Sequence, residues 1–104
     1  MIVPATMGAT IALIVNELVQ NSLKHAFSNR NKGRLKISVE KAKRYSWITV
    51  GDDGIGFREE EHDSKGLGLK LVKGLVKEKL KGEYCIESNN SGTSIGFSFP
   101  NPEI

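Results

Sequence analysis

The sequence predicts an α+β fold: a two-layer α/β sandwich in which helices cover one face of a mixed, mostly antiparallel sheet. Two segments repeat apolar residues at helical spacing, and each is followed by two short segments in which apolar and polar residues alternate. The predicted order is therefore helix, strand, strand, loop, helix, strand, strand. With 104 residues, of which 38% are apolar, the chain can form a single globular domain, which we place at residues 1–104.

The first helix is predicted to begin at Thr10, whose hydroxyl can cap a helix N-terminus, and to end near Phe27. Residues 1–9 are predicted to form an irregular lead-in, because Pro4 and Gly8 disfavour an early helix. One broad arc of this helix is apolar and contains Ile11, Ile14, Val15, Leu18, Val19, Ser22 and Ala26. The opposite side carries a polar stripe formed by Glu17, Asn21, Lys24 and Ser28.

The strands are predicted where apolar residues recur at every second position. Leu35, Ile37 and Val39 define a first, half-buried strand, and Ile48 and Val50 define the second. The third and fourth strands flank a tight-turn sequence at residues 89–92 and contain, in chain order, Tyr84, Ile86, Ile95, Phe97 and Phe99. The single cysteine, Cys85, lies in the third strand and is predicted to be a small buried residue.

The second helix is predicted from about Gly66 to Leu80, with Gly82 as its C-terminal stop. Its predicted apolar face consists of Leu71, Val72, Leu75, Val76 and Leu80. Its predicted polar face consists of Lys70, Lys73, Lys77 and Lys81. Residues 51–64 have no apolar periodicity and are predicted to be a loop.

Composition excludes several classes of protein. The longest apolar run, Ile11–Val15, is far shorter than the roughly 20 residues of a membrane helix, and no secretory signal is recognisable, so we expect a cytoplasmic location without membrane contact. The net charge is +3, with several lysines in the second helix, but no aromatic residues are interleaved with them. A nucleic-acid-binding domain is therefore an alternative that rests on the lysines alone, and we expect no nucleic-acid partner.

The polar stripe of the first helix combines three kinds of chemistry. An amide oxygen, as on Asn21, suits magnesium, which takes its other ligands from phosphates and water. The Glu17 carboxylate lies one turn earlier and can orient or deprotonate an attacking group, and Lys24 can neutralise phosphate oxygens. Taken alone, such a stripe is more often an ordinary solvated face.

Two glycine-containing segments accompany the stripe. Asp52-Asp53-Gly54-Ile55-Gly56 directly follows a strand, where a carboxylate can accept a hydrogen bond from an exocyclic amine such as that of adenine. Gly66-Leu67-Gly68-Leu69 opens the second helix, where exposed amide groups can bind phosphate. The second segment is neither a P-loop nor a dinucleotide-binding fingerprint, because the residues that define those motifs are missing.

In this order and spacing, the features resemble the motifs of the ATP-binding superfamily of gyrase, the heat-shock chaperone, sensor histidine kinases and mismatch-repair ATPases, whose domain is called the Bergerat fold. Residues 17–26, ELVQNSLKHA, resemble its N box; DDGIG and GLGL resemble its two glycine boxes, and Gly92-Thr93 resembles its closing Gly-Thr. Lys24-His25 and the short segment 57–65 resemble the histidine-kinase branch with an abbreviated ATP lid.

The resemblance implies a role for each matching residue. Asn21 would ligate Mg2+, Glu17 would be the catalytic carboxylate, and Lys24 would contact phosphate during catalysis. The resemblance also implies that His25 contacts phosphate or ribose, that Asp52 binds the adenine amine, and that Thr93 lies under the adenine. The remaining nucleotide-binding positions are glycine-box residues: Gly54 and Gly56 around the adenine, and Gly66, Leu67 and Gly68 facing the phosphates.

The function that the resemblance implies is binding of Mg-ATP and phosphoryl transfer to a histidine on a separate dimerisation and acceptor domain, upstream of a response regulator. We expect the acceptor hairpin to be absent from this chain, because His25 lies within the N-box-like segment and His62 in an acidic loop. Two alternatives remain open. One is an anti-sigma-type serine kinase of the same fold, and the other is a degenerate, non-catalytic nucleotide-binding or docking module, which the glutamates at 59–61 would suit.

Overall fold

The computed structural model describes residues 3–26, 33–54, 69–89 and 91–102, with the backbone alone for residues 25 and 26. It confirms the predicted α+β fold: two helices pack on one face of a four-stranded sheet. The helices and strands of the described residues are α1 (Ala5–Asn21), β1 (Leu35–Lys41), β2 (Tyr45–Asp52), α2 (Leu69–Leu75), β3 (Tyr84–Asn89) and β4 (Gly92–Pro100).

The sheet has the strand order β1-β2-β4-β3, and every pair of neighbouring described strands is antiparallel. The central pair, β2 and β4, sets Asp52 opposite Thr93. The end of β2 therefore lies beside the start of β4, although the two strands are separated by the whole of α2 and β3 in the sequence.

The core lies between the helices and the inner face of the sheet. Its side chains are apolar and come from both helices, from the turn that follows α2, and from β2 and β4: Ile14, Leu18, Ile48, Val50, Leu69, Val72, Val76, Leu80, Ile95, Phe97 and Phe99. Burial of each such side chain contributes about 1.5 to 3 kcal/mol relative to exposure. This packing fixes α1 over β2 and thereby positions the polar residues at the C-terminal end of α1.

The start of α1 differs from the sequence prediction. The helix begins at Ala5 rather than Thr10, with Pro4 as the preceding cap residue, so the expected irregular lead-in is wrong from residue 5 onward. A proline is compatible with a helix start because it needs no hydrogen-bond acceptor there. Its carbonyl oxygen accepts a hydrogen bond from the Gly8 amide at 2.9 Å, and the Thr10 hydroxyl donates to the Thr6 carbonyl instead of capping.

Both helices end in a π-helical turn, Ser22–Ala26 after α1 and Val76–Leu80 after α2. The second turn is closed by Lys81 in the left-handed conformation (φ 57°, ψ 38°), directly before Gly82, the predicted C-terminal stop. Gly82 is required for a steric reason. A Cβ at this position would collide with the backbone carbonyl oxygen of Ser98 in β4, so the chain can approach β4 only where the side chain is missing.

Strand β1 is exposed on both of its faces, in contrast to the half-buried strand that its alternation predicts. Leu35, Ile37 and Val39 are 37%, 50% and 68% exposed. In the described part of the chain, α1 contacts β2 and the second π-helical turn contacts β4, so the described helices lie over the two central strands. Two smaller expectations are also wrong: Leu71 is half exposed, with Leu69 buried in the core instead, and Cys85 is exposed.

Candidate functional site

The Asp52 carboxylate, at the end of β2, is the point where three segments of the chain meet. The Ser22 hydroxyl donates a hydrogen bond to its Oδ2 at 2.8 Å. The backbone amides of Gly54 and Thr93 donate to its Oδ1 at 3.0 and 3.2 Å. The C-terminal end of α1, the turn after β2 and the start of β4 are thus joined through one side chain.

Local sequence explains one of these three contacts, and strand pairing explains another. The bond from Gly54 is the turn that an aspartate forms with the amide two residues later. The bond from Thr93 follows from the strand register, which sets this residue opposite Asp52. Gly92 makes the approach possible, because it has a φ of +139° and a Cβ there would collide with the Asp52 carbonyl oxygen. A side chain at position 92 is therefore excluded by conformation and by space.

An ionised carboxylate offers about four acceptor positions, two on each oxygen. Among the described residues, the two amides occupy Oδ1 and the Ser22 hydroxyl occupies one position on Oδ2. The described donors therefore leave one acceptor position on Oδ2 of Asp52. The chemistry that fits it is a single N–H or O–H donor.

Thr93 is almost completely buried and has two distinct contacts at this site. Its amide donates to Asp52, and its hydroxyl shares a 2.8 Å hydrogen bond with the hydroxyl of Ser88 on the neighbouring strand β3. The side chain is consequently fixed next to the carboxylate.

The second aspartate of the motif has another role. The Arg34 amide donates to the Asp53 carboxylate Oδ1 at 2.8 Å, and the Asp53 amide donates to the Arg34 carbonyl at 3.3 Å. Asp53 thereby ties the turn after β2 to the residue before β1. The neighbouring Asp52 instead accepts the hydrogen bond from Ser22 at the end of α1.

The polar stripe of α1 reaches the same end of the molecule. Glu17 and Asn21 are partly buried, and Lys24, in the π-helical turn, is exposed. Among the described residues, Asn21 is the one with a buried side-chain nitrogen, Nδ2, that has no hydrogen-bond partner. An unsatisfied buried polar group costs about 1 to 3 kcal/mol, so a ligand that satisfies this amide would recover part of that free energy.

The donor set bears on the magnesium that the resemblance implies. The described residues contain no group of three or more His, Cys, Asp or Glu side chains able to hold a metal ion. A site made of the Asn21 amide oxygen, phosphate oxygens and water needs no such group, and magnesium commonly binds in this manner. The residues present therefore fit Mg2+ that arrives with a phosphorylated ligand.

A cavity of about 410 Å3 opens beside this cluster, and its lining includes Asp52, Gly92 and Thr93. It also includes Lys36 and Ser94, which the register sets in one row across the sheet with Gly51. Successive side chains of a strand point to opposite faces of the sheet, and the residues of this row alternate along their strands with residues that face the helices. The cavity therefore extends along the face of the sheet that is turned away from the helices.

Of the predicted residues, Asp52, Gly54 and Thr93 are joined by hydrogen bonds at one end of the sheet. Asn21 directly precedes Ser22, which contacts Asp52, and Glu17 and Lys24 lie about one turn before and one turn after Asn21. The predictions for the His25 side chain, Gly56, Gly66, Leu67 and Gly68 lie outside the described residues and stay predictions. Sequence reasoning missed Ser22 and Ser88 as members of the site. Ser22 falls on the apolar arc of α1, and a buried hydroxyl on such an arc requires a partner, which is the signal that could have identified it.

Comparison with known proteins defines the class. Residues 8–103 match the family of histidine kinase-, DNA gyrase B- and HSP90-like ATPases, and the chain belongs to this family. Within it, the similarity is to sensor histidine kinases. The sensor histidine kinase PdtaS of Mycolicibacterium smegmatis is 32% identical over 96 residues, which is 88% of this chain and 19% of that protein.

Solved structures agree with the sequence relatives. The histidine kinase domain of the blue-light-activated histidine kinase of Erythrobacter litoralis superimposes with a TM-score of 0.82 at 32% identity, over 94% of this chain and 49% of that one. The histidine kinase ThkA, in a complex with its response regulator TrrA, has the same fold, with a TM-score of 0.71 at 22% identity over 88% of this chain and 28% of that one.

The chain is therefore a histidine-kinase-type ATPase domain, and it spans only about a fifth of the length of the curated relative named above. No helix within the described ranges combines the length and the apolar character that crossing a membrane requires.

Proposed function

We propose that this domain binds Mg-ATP and transfers the γ-phosphoryl group to a histidine on a separate dimerisation and acceptor domain, as the catalytic module of a two-component sensor histidine kinase. The observation that carries the proposal is the Asp52 cluster. Its carboxylate is held by Ser22, Gly54 and Thr93, with one acceptor position left for an amine, and the side-chain nitrogen of the nearby Asn21 has no hydrogen-bond partner among the described residues.

Each residue of the cluster then has a task. Asp52 accepts a hydrogen bond from the exocyclic amine of adenine, next to the buried Thr93. Asn21 supplies an amide oxygen to magnesium, and Lys24 contacts the phosphates. Magnesium, when bound with ATP, neutralises phosphate charge and thereby favours attack at the γ-phosphorus.

Glu17 is proposed to act on the attacking group. In the transfer, an imidazole nitrogen of the acceptor histidine forms a bond to the γ-phosphorus while the bond to the bridging oxygen breaks and ADP leaves. The Glu17 carboxylate, one turn before Asn21, orients that imidazole or accepts its proton. Most of the rate enhancement is expected from positioning and charge neutralisation.

The proposed partners are the acceptor domain and a response regulator. The solved complex of the histidine kinase ThkA, which has the same fold, with the response regulator TrrA supports the proposal of a response regulator as partner. The proposed location is the cytoplasm, where ATP and response regulators are found.

The Asn21→Ala variant is expected to lose the magnesium dependence of nucleotide binding. Calorimetric titration with a non-hydrolysable ATP analogue, with and without Mg2+, measures this directly. We expect Mg2+ to tighten binding to the wild type about tenfold and to leave the variant within about twofold. Asn16→Ala, an exposed asparagine on the same helix, is the matched control and should behave as wild type. A well-folded wild type that does not bind the analogue would overturn the proposed function.

The Glu17→Gln variant separates a kinase from a docking module. Transfer of a radiolabelled γ-phosphate to an added histidine-acceptor hairpin is expected to fall about a hundredfold, since general base catalysis contributes on this order. Affinity for the ATP analogue should stay within about twofold, because the base acts on the acceptor rather than on the nucleotide. Glu78→Gln, an exposed glutamate in the second π-helical turn, is the control. Binding without any transfer by the wild type would favour the non-catalytic docking module.

A further inference from the structure

We propose that Ser22 is a positioning residue that orients the Asp52 carboxylate toward the exocyclic amine of a bound 6-aminopurine nucleotide. The inference rests on the proposed function, because it concerns the same nucleotide site. It assigns a role to a residue that lies outside the polar stripe, on the arc of α1 that faces the core.

The direction of the hydrogen bond is fixed by chemistry. An ionised carboxylate carries no proton, so the Ser22 hydroxyl must donate to Oδ2 of Asp52, and its oxygen keeps its own lone pairs. The pair then presents acceptors only, namely the remaining position on Oδ2 and the lone pairs of the hydroxyl. Ser22 is 6% exposed, so bulk water does not compete freely for this bond.

The three donors hold the two oxygens of the carboxylate separately. The amides of Gly54 and Thr93, from the turn after β2 and from β4, both bind Oδ1. Ser22 is the described donor to Oδ2, the oxygen whose remaining position is proposed for the ligand. Because the terminal torsion of an aspartate is intrinsically broad, a bond to this second oxygen narrows the orientations of the carboxylate further.

The last residue of α1 and the first residue of the following π-helical turn then contact the two ends of one ligand, Ser22 through Asp52. Asn21 and Ser22 are consecutive, and consecutive helical side chains diverge by about 100°. Asn21 carries the amide proposed for the magnesium and phosphate end, and Ser22 holds the carboxylate proposed for the base end. The end of α1 thus fixes the distance between the two parts of the site.

The consequence is a preference among purines. A 6-amino group donates to the acceptors that Ser22 and Asp52 present, whereas a hydrogen at position 6 leaves them unpaired. A site built around a hydrogen bond rejects a ligand that lacks the partner group, and the rejection depends on how well the acceptor is held. Removal of the Ser22 hydroxyl should therefore weaken binding of amine-bearing nucleotides selectively.

The test compares two nucleotides in the wild type and in Ser22→Ala. ATP and purine riboside triphosphate, which differ only in the 6-amine, are titrated as their magnesium complexes by calorimetry. We expect Ser22→Ala to weaken ATP about tenfold and purine riboside triphosphate less than about twofold. Ser22→Thr keeps the hydroxyl and should restore at least part of the preference for ATP.

Ser46→Ala is the matched control. Ser46 is fully buried and its hydroxyl also donates to a side-chain oxygen, that of Asn101, but it lies at the opposite end of β2. Its loss is expected to affect stability without affecting the preference for the 6-amine.

The possible outcomes distinguish failure of the positioning role from failure of the proposed function. If Ser22→Ala weakens both nucleotides equally, or neither, the positioning role is wrong while the proposed function stands. Should the wild type bind both nucleotides equally well, the amine contact itself is wrong. If the folded wild type, judged by circular dichroism, binds neither nucleotide, the proposed function fails and the positioning role with it.

Discussion

Replacement of Asp52 by Asn is expected to reverse the purine preference of the domain. The amides of Gly54 and Thr93 require an acceptor, so the Asn oxygen should take the place of Oδ1 and the NH2 group should take the place of Oδ2. One N–H can donate to the Ser22 hydroxyl, which rotates to accept it. The other is then directed at the ligand, where the wild type offers an acceptor.

The expected magnitudes follow from one mismatched hydrogen bond. We expect affinity for ATP to fall about a hundredfold, because the NH2 group of Asn would face the 6-amino group of adenine and both are donors. Affinity for inosine triphosphate, whose 6-oxo group is an acceptor, is expected to rise about tenfold. Calorimetric titration of both nucleotides measures the reversal. A loss of affinity without any gain for inosine triphosphate would mean that Asp52 supports the site without contacting position 6.

Asp53→Asn is the control for this exchange. Its carboxylate Oδ1 accepts the Arg34 amide, and an Asn oxygen can accept the same bond. The change in charge is identical, and the position in the chain differs by one residue. Nucleotide preference should therefore stay as in the wild type, which would show that the effect belongs to the hydrogen-bond pattern rather than to the net charge.

Replacement of Gly82 by Ala is expected to lower the free energy of unfolding by about 3 kcal/mol or more, a large fraction of the total stability of a small domain. The added methyl group would overlap the carbonyl of Ser98, which is backbone and cannot rotate away. To relieve the overlap, the segment before β3 must separate from β4. The pair of hydrogen bonds between Glu83 and Ser98, 2.9 Å from the Glu83 amide to Oγ and 2.8 Å from the Ser98 amide to the carbonyl, would be lost.

Gly74→Ala provides the opposite case within the same region. Gly74 lies inside α2, and a Cβ there would meet nothing within 4 Å. Alanine is favoured over glycine in a helix, so the free energy of unfolding should rise by about 0.5 to 1 kcal/mol. Urea denaturation of both variants measures the contrast. Equal effects of the two substitutions would show that the close approach at Gly82 is not needed for stability.

The sequence was informative where local pattern and structure have the same cause. The alternation of apolar and polar residues correctly predicted β2, β3 and β4. Each of these strands packs one face against the core, and its apolar residues lie on that face. The same pattern failed for the burial of β1, since alternation predicts which residues share a face and not whether anything covers it. The start of α1 was missed because Pro4 was interpreted as a helix breaker rather than as a cap residue.

The site was predictable in part for the same reason. Asn21 and Asp52 could be identified because a polar stripe on a helix and a polar residue at a strand end are both recognisable from a short stretch of sequence. The bond between Ser22 and Asp52 joins residues 30 apart, and that between Thr93 and Asp52 joins residues 41 apart. No local pattern encodes such a contact, which depends on how α1 lies over the sheet and on the pairing of β2 with β4.

Because these contacts join residues that are far apart in the sequence, the carboxylate cluster forms only when the whole domain is folded. Its donors come from an early helix, a central turn and the last strand, so no fragment that lacks one of them can assemble it. A ligand that binds there binds the native state alone and shifts the folding equilibrium by mass action, by about 2.7 kcal/mol at a free concentration one hundred times Kd. The fraction of folded domain therefore rises with the nucleotide concentration. A protease that cuts the unfolded chain would accordingly cleave the domain more slowly as the ligand concentration rises.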